Sequence, residues 1–181
     1  MPSSLQVDKI IDSSATTNKE LAEYSSSAWS WKKGVPTGTC IQMVTHNADS
    51  GTSTNNTTDF VTTGLAVTIT PKFDNSKMVI LWQTGTTHFN VSGGNSQGYL
   101  AVSRDASTTI LTRSQANVII YNAGNTTGYF NFSGVATDTV TSTTAIAYTL
   151  MQKSKSGTFY SISADTGSTT GCSITVMEFK V

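Results

Sequence analysis

The chain has 181 residues, which is enough for one domain of ordinary size and an arm, and enough to bury a core without cross-links. Charged residues make up 12% of it, with 11 basic and 11 acidic side chains in balance, so the composition argues against nucleic acid and anionic membranes as partners. No stretch approaches the roughly 20 apolar residues that span a bilayer, and the first ten residues lack the pattern of a signal peptide, so we expect no membrane insertion.

Two parts are predicted, an attachment arm of residues 1–36 and a head of residues 37–181. Residues 5–10 of the arm predict one short strand. Residues 17–24 open with a capping-box pattern, T-x-x-E, which predicts a helix of about two turns. Because the arm has too few apolar residues for a core of its own, we expect it to become ordered against another component.

The bulky apolar side chains of the arm are the expected docking contacts. Trp29 and Trp31 are two residues apart, so an extended chain would place them on one face. Packing of these tryptophans on the base of the head is an equally good interpretation. The predicted docking residues are Leu5, Val7, Ile10, Leu21, Trp29 and Trp31.

The head is predicted to be an antiparallel β-sandwich, because short alternating segments are separated by clusters of Gly, Asn, Asp and Ser. Leu65, Val67 and Ile69 alternate with Ala66, Thr68 and Thr70, as in a strand with one dry face. The ten predicted strands are Thr39–Thr45, Leu65–Thr70, Met78–His88, Tyr99–Arg104, Thr108–Thr112, Val118–Tyr121, Tyr129–Ala136, Thr144–Gln152, Thr158–Ser163 and Ser173–Val181.

Two segments are apolar on both faces, residues 76–82 and residues 174–181 up to Glu178. One face of such a strand packs in the core, and the other needs a cover, which is either a second β layer or another copy of the molecule. Closed symmetry lets one surface patch cover itself repeatedly, so we expect a homotrimer. The predicted interface residues are Val79 and Leu81, or Ile174 and Val176.

Cys40 and Cys172 are the only cysteines, too few for a disulfide framework or a tetrahedral zinc site. Each stands at the start of a predicted strand, and the first and last strands of a sandwich are often neighbours, so a bridge between them is one interpretation. The favoured interpretation is two small buried thiols.

The search for chemistry is mostly negative. His46 and His88 are the only histidines, and neither belongs to a metal-ligand spacing. No G-x-S-x-G elbow is present, and Asp105, Asp165 and Glu178 are the few carboxylates in or beside strands. Asp105 fits a turn contact better than an acid/base pair. We therefore expect no enzyme activity, no metal and no cofactor.

Loops rich in Asn, Ser, Thr and Gly remain as candidate binding surfaces, although each one is also read as an ordinary solvated turn. If all ten strands alternate in direction, the loops at residues 45–64, 89–98, 137–143 and 164–172 share one exposed pole. The residues predicted to meet a host-surface glycan or protein are His46, Asn47, Asn90, Asn95, Asp165 and Thr169.

Five segments carry a resemblance to a known family: Leu5–Ile10, Gly38–Val44, Asp59–Pro71 with the following Ser76–Lys77, Ser103–Asp105 and Ser173–Glu178. They resemble tail-fibre and other virion surface proteins of marine tailed phages, notably cyanophages, over most of residues 38–181 and part of the arm. The resemblance implies a trimeric jelly-roll head, similar in layout to tumour necrosis factor, that the arm joins to another virion protein. It also implies assembly in the host cytoplasm and residence in the virion.

The chain departs from the family by lacking a shaft repeat and by the tryptophans of its arm. The tip of a long fibre, a short spike and a capsid decoration without a receptor role therefore all stay open. A secreted binding head of the tumour necrosis factor type and, less favoured, a glycan-degrading enzyme are the alternatives from other classes.

Overall fold

The computed structural model describes the backbone of residues 9–12, 19–25, 28–31, 36–48, 53–54, 58–85, 87–91, 96–105, 110–111, 116–120, 126–156, 158–160 and 171–181. Side-chain environments are described for residues 36–48, 58–85, 98–105, 110–111, 131–154 and 171–181.

Within these residues the protein is all-β and contains no helix. The strands are β1 (Lys9–Asp12), β2 (Lys19–Ser25), β3 (Ala28–Trp31), β4 (Cys40–Ala48), β5 (Ser53–Thr54), β6 (Val61–Ile69), β7 (Ser76–Gln83), β8 (Thr87–Val91), β9 (Ser96–Arg104), β10 (Ala116–Ile120), β11 (Thr126–Phe130), β12 (Ser133–Val140), β13 (Ile146–Ser156), β14 (Thr158–Tyr160) and β15 (Cys172–Lys180).

Two four-stranded antiparallel sheets form a β-sandwich, as predicted. The first sheet has the order β12-β7-β15-β4, and the second has the order β10-β9-β13-β6. A third sheet, β11-β8-β14-β5, and a separate sheet of the arm, β1-β2-β3, complete the described strands.

The core lies between the first and second sheets. Alternate residues of β6, β7, β9, β12, β13 and β15 enter it, as the side-chain period of two in a strand requires. The sixteen clustered core residues come from both sheets: Leu65, Val67, Ile69, Met78, Ile80, Trp82, Leu100, Val102, Ala136, Val140, Ile146, Tyr148, Leu150, Cys172, Ile174 and Val176. The predicted inward positions of β6, Leu65, Val67 and Ile69, are confirmed by this cluster.

Two long predicted strands are each divided. The run predicted as Met78–His88 is interrupted after Gln83, where the Thr84 amide donates to the Phe132 carbonyl at 2.8 Å and the chain leaves the first sheet. The run predicted as Tyr129–Ala136 is divided between β11 and β12. The strand predicted at Thr108–Thr112 is reduced, within its described residues, to a bridge at Ile110.

The predicted arm helix is wrong, because Lys19–Ser25 forms a strand between β1 and β3. A two-turn helix offers only a few internal hydrogen bonds, whereas a central strand pairs along both edges, so pairing overrides the local capping pattern. Trp29 and Trp31 lie in the extended strand β3, which is the condition under which their spacing places them on one face. The division of the chain at residue 36 stays a prediction.

Both ends of the head lie at one pole of the sandwich. The Gly38 amide donates to the Lys180 carbonyl at 2.7 Å, and the Lys180 amide donates to the Thr39 carbonyl at 3.0 Å. Ala48 pairs with Cys172 at the other pole. The prediction that residues 137–143 share that other pole is wrong, because Val140 pairs with Ser76 and the following turn therefore lies beside the chain ends.

Cys40 and Cys172 are not joined by a disulfide bond. Strands β4 and β15 are neighbours, as expected, but they run antiparallel, so the starts of the two strands lie at opposite ends of the pair. Cys172 is buried and its thiol donates to the Thr84 carbonyl at 2.9 Å, whereas Cys40 is exposed. An intrachain bridge is therefore excluded, and the prediction of a buried thiol holds only for Cys172.

Candidate functional site

The outer face of the first sheet is unusually apolar for a surface. Cross-strand pairing places Val135 beside Leu81, and it places Val79 beside Met177, which in turn pairs with Met43. We call these five residues the apolar face. A sheet face that served only as surface would carry polar side chains at such positions.

The exposure of these side chains singles out this face. Met43 is 65% exposed, Val135 53% and Leu81 43%, while Val79 and Met177 are half-buried. Val181, at 57%, is the remaining exposed large hydrophobic residue in the part of the chain whose side chains are described. On the outer face of the second sheet, Thr62 and Thr68 of β6 are exposed hydroxyl residues instead. The apolar face is therefore a candidate interaction surface.

The predicted interface residues divide between the two sides of the first sheet. Val79 and Leu81 lie on the outer face, where a partner can reach them. The prediction is wrong for Ile174 and Val176, which are 0% exposed and belong to the intrachain core. In β15 the outward positions are instead Ser173, Thr175 and Met177, because they alternate with the buried ones.

Two open grooves bracket the apolar face. The groove near Gln83 has a volume of about 490 Å³ and is lined by Leu81, Trp82, Gln83, Ser133, Gly134, Val135, Ser173 and Thr175. The groove near the chain ends has a volume of about 390 Å³ and is lined by Thr37, Gly38, Lys77, Val79, Phe179, Lys180 and Val181.

Gly134 shapes the floor of the first groove. It pairs with Trp82, and a Cβ atom placed on Gly134 would lie 2.4 Å from Cζ2 of the indole. The absence of a side chain therefore lets the indole lie against the β12 backbone. Sequence reasoning missed this contact, since a glycine inside a strand signals a close approach but does not name the neighbour.

A buried carboxylate fixes the turn beside the second groove. Glu178 is 0% exposed, and its oxygens accept hydrogen bonds from the backbone amides of Lys72 and Phe73. The Ser76 hydroxyl and the Gln42 side-chain amide donate to it as well, both at 2.6 Å. Four donor groups replace the lost hydration, which is the condition for burying a charged group.

A second polar cluster joins the two sheets. The Tyr148 hydroxyl donates to Oδ2 of Asp138 at 2.8 Å, and Nη1 of Arg104 lies 3.6 Å from the same oxygen. Burial, followed by this hydrogen bond and the nearby negative charge, raises the pKa of Tyr148 far above its ordinary value. The phenol is therefore held in its neutral form, in which it donates the hydrogen bond that joins the two sheets.

Asp105 makes the predicted turn contact. Its amide donates to the Ala147 carbonyl at 2.6 Å, and its carboxylate accepts from the Ala147 amide at 3.0 Å. Within the described residues no group of three or more His, Cys, Asp or Glu side chains could hold a metal ion. The same described residues include no helix that is long and apolar enough to cross a membrane.

The predicted host-contact residues are not brought together by the described part of the structure. His46 and Asn47 are exposed on β4 near the pole away from the chain ends, and Asn90 lies in β8. Asn95, Asp165 and Thr169 lie outside the described residues.

The predicted docking residues fall mainly on the arm sheet. Ile10 lies in β1, Leu21 in β2, and Trp29 and Trp31 in β3. Leu5 and Val7 lie outside the described residues.

No protein-family model matches the chain, and no curated protein sequence is significantly similar to it.

Proposed function

We propose that the protein is a homotrimeric virion surface component of a tailed phage, with a jelly-roll head that packs against its copies through the apolar face and an arm that joins it to the particle. The observation that carries the proposal is the apolar face itself, with Met43 65% exposed beside Met177 in the centre of a sheet. A surface of this kind is stable in water when another protein covers it.

A second copy is the proposed cover. Each fully buried aliphatic side chain contributes roughly 1.5–3 kcal/mol relative to an exposed one, so several such residues per subunit outweigh the entropic cost of association. The outer side of the first sheet is uncharged at its centre, because none of the five residues of the apolar face carries a charge. Identical neutral patches suit closed rotational symmetry, in which one patch is used repeatedly.

The strand order supports a jelly roll. From β4 to β9 the chain changes sheet at each step between sandwich strands, and it does so again from β10 to β15. Four strands in each sheet with crossing connections form the two Greek keys of that fold. Jelly rolls occur in viral capsid and lectin domains, which agrees with the proposed class of function.

The register of the arm supports docking. Ile10, Ala22 and Trp31 occupy one cross-strand row, and Tyr24 pairs with Trp29 in a row on the same face. A three-stranded sheet needs an apolar face packed against something to be stable. The proposal assigns that role to another virion protein.

The proposal gives the chain no catalytic activity. Asp105 and Glu178 are held by backbone and side-chain hydrogen bonds that serve turns, so neither is placed as a free acid or base. A capsid decoration and a tail spike share this architecture, and the proposal covers both as surface components.

The interface is tested with Leu81→Asp and Val135→Asp, measured by size-exclusion chromatography with light scattering. Each aspartate would bury an uncompensated charge, so we expect folded monomers where the parent protein gives trimers. Thr68→Asp introduces the same charge on an exposed strand position of the second sheet and is the matched control. Trimers that persist in both apolar-face variants would refute the assignment.

The virion role is tested separately on purified particles. Mass spectrometry of washed virions should detect the chain, and gold-labelled antibodies against the head should mark the particle surface. Recovery of the chain only in the soluble lysate would contradict the role while leaving the trimer intact.

A further inference from the structure

The turn that leads into β7 is anchored by hydrogen bonds and carries an exposed carboxylate. The backbone amides of Lys72 and Phe73 donate to the buried Glu178 carboxylate at 2.9 Å and 3.2 Å. The Ser76 hydroxyl closes the turn by donating to the Phe73 carbonyl at 3.0 Å. Asp74 lies between these anchored residues and is exposed. The backbone that carries its carboxylate is therefore held in place before any partner binds.

The groove near the chain ends offers the complementary charge. Lys77 is the first outward residue of β7, is exposed and pairs with Phe179 of β15. Lys77, Val79 and Phe179 line this groove, whose volume is about 390 Å³. Lys180 lines it as well, but its ammonium lies over the Phe73 ring, 4.6 Å from the ring centre. The groove therefore joins an exposed cation to apolar walls that continue into the apolar face.

The charges of Asp74 and Lys77 are not used within the chain. Among the residues whose side chains are described, these two side chains form no ion pair and no hydrogen bond. Lys77 is also the only charged residue at the outward positions of β4, β7, β12 and β15. A single charge at the margin of a neutral interaction surface selects a partner that brings the opposite charge to that point.

From this complementarity we infer that Asp74 of each copy pairs with Lys77 of the next copy, with the turn of residues 72–75 seated in the groove near the chain ends. The inference deepens the proposed function and rests on its association of copies through the apolar face. Both residues lie at the pole of the chain ends. Rotation about an axis that runs from pole to pole keeps this pole at one height in every copy, so each turn meets a groove in a cyclic trimer. A face-to-face dimer with opposed poles would separate the two charges.

Exchange of the two charges tests the pair in the full chain. Lys77→Asp and Asp74→Lys each bring two like charges together. At low ionic strength we expect each to raise the concentration at which trimers dissociate by at least about tenfold. The protein with both substitutions has opposite charges in exchanged positions and should dissociate at the parent's concentration. In about 1 M salt the single variants should approach the parent, because the screening length falls to about 3 Å.

A control variant and a second measurement accompany the exchange. Lys153→Asp reverses a charge in β13 of the second sheet and should leave the dissociation of the trimer unchanged. Carbodiimide treatment joins a carboxylate to an amine in contact with it and needs no charge reversal. The parent should give a covalent dimer in which mass spectrometry finds Asp74 joined to Lys77. Lys77→Gln, a change at an exposed position, should give far less of that dimer.

The outcomes separate this inference from the proposed trimer. A parent trimer whose dissociation is unchanged by both single reversals overturns the pairing and leaves the trimer in place. So does a trimer that both reversals weaken and the exchange does not restore, or one that gives no covalent link between the two residues. A parent chain that stays monomeric at every concentration overturns the trimer and the pairing together.

Discussion

The environment of Glu178 is set by residues that are distant in the sequence. The last strand suggests a polar end where Glu178 and Lys180 occur, yet the carboxylate is buried and accepts bonds from a turn about a hundred positions earlier in the chain. Sequence spacing carries no signal for such a pairing, because the donors are ordinary backbone amides. The alternation of β6, by contrast, is local, so its buried residues were predictable.

Replacement of Glu178 by glutamine should be costly. The new amide keeps one acceptor oxygen, and when that oxygen accepts from Phe73 and Ser76, the N–H bonds are directed at the Gln42 side-chain amide, which also donates. We expect a loss of roughly 1.5–3 kcal/mol in the free energy of unfolding, measured by denaturant titration. Ser76→Ala removes one donor and leaves the charge in place, so it should cost less. Equal stability of parent and Glu178→Gln would contradict the assigned role.

Gly134 gives a steric prediction. An alanine Cβ would lie 2.4 Å from the Trp82 ring, so Gly134→Ala should lower the free energy of unfolding by about 1–3 kcal/mol. Gly171→Ala is the matched control, because its Cβ would meet nothing within 4 Å. A Gly134→Ala protein as stable as the control would show that the indole moves aside freely.

Tyr148 links the two sheets and predicts a response to alkaline pH. The pKa of Tyr148 is raised in the folded state. The full contribution of Tyr148 to the free energy of unfolding is therefore present below pH 10, the ordinary tyrosine pKa being about 10. Above that pH the unfolded chain ionises while the folded chain does not. Stability is therefore lost by up to about 1.4 kcal/mol per pH unit.

The measurement compares the free energy of unfolding at pH 8 and pH 11 for the parent and Tyr148→Phe. The variant should be less stable at pH 8, because it loses the bond to Asp138, but it should lose less stability on alkalinisation. Tyr99→Phe removes a half-buried hydroxyl elsewhere in the second sheet and should keep the alkaline loss. Identical pH dependence in the parent and Tyr148→Phe would rule out this origin.

At the level of elements, the sequence reveals which strands are apolar but not which side of a doubly apolar strand faces the core. The predicted pairs Val79 with Leu81 and Ile174 with Val176 look alike in sequence, and only the register of β7 against β15 separates them. The arm could not be predicted correctly for a different reason. The local sequence of residues 17–24 favours a helix, but pairing with the strands on both sides makes Lys19–Ser25 a strand.

The arm also yields a prediction as an element. Deletion of residues 1–36 should leave a head with the parent's melting temperature and oligomeric state, because the clustered core residues whose side chains are described all lie between Leu65 and Val176. The same deletion should abolish incorporation into virions, measured by immunoblotting of purified particles. Normal incorporation of the truncated head would remove the arm from its proposed role.

At the scale of the whole molecule, every part of the account depends on what covers the apolar face. A β-sandwich needs only its inner faces for a core, so a second apolar surface on the first sheet has no function within one subunit. Met43, Leu81 and Val135 remain open to solvent in the single chain. Association between copies of the chain would cover this apolar face without any other protein.

The most direct test is the mass of the unmodified protein in dilute solution, measured by sedimentation equilibrium over a hundredfold range of concentration. The account predicts a species of three times the 19.2 kDa of one chain that persists on dilution. A stable monomer with the apolar face open to water would contradict it.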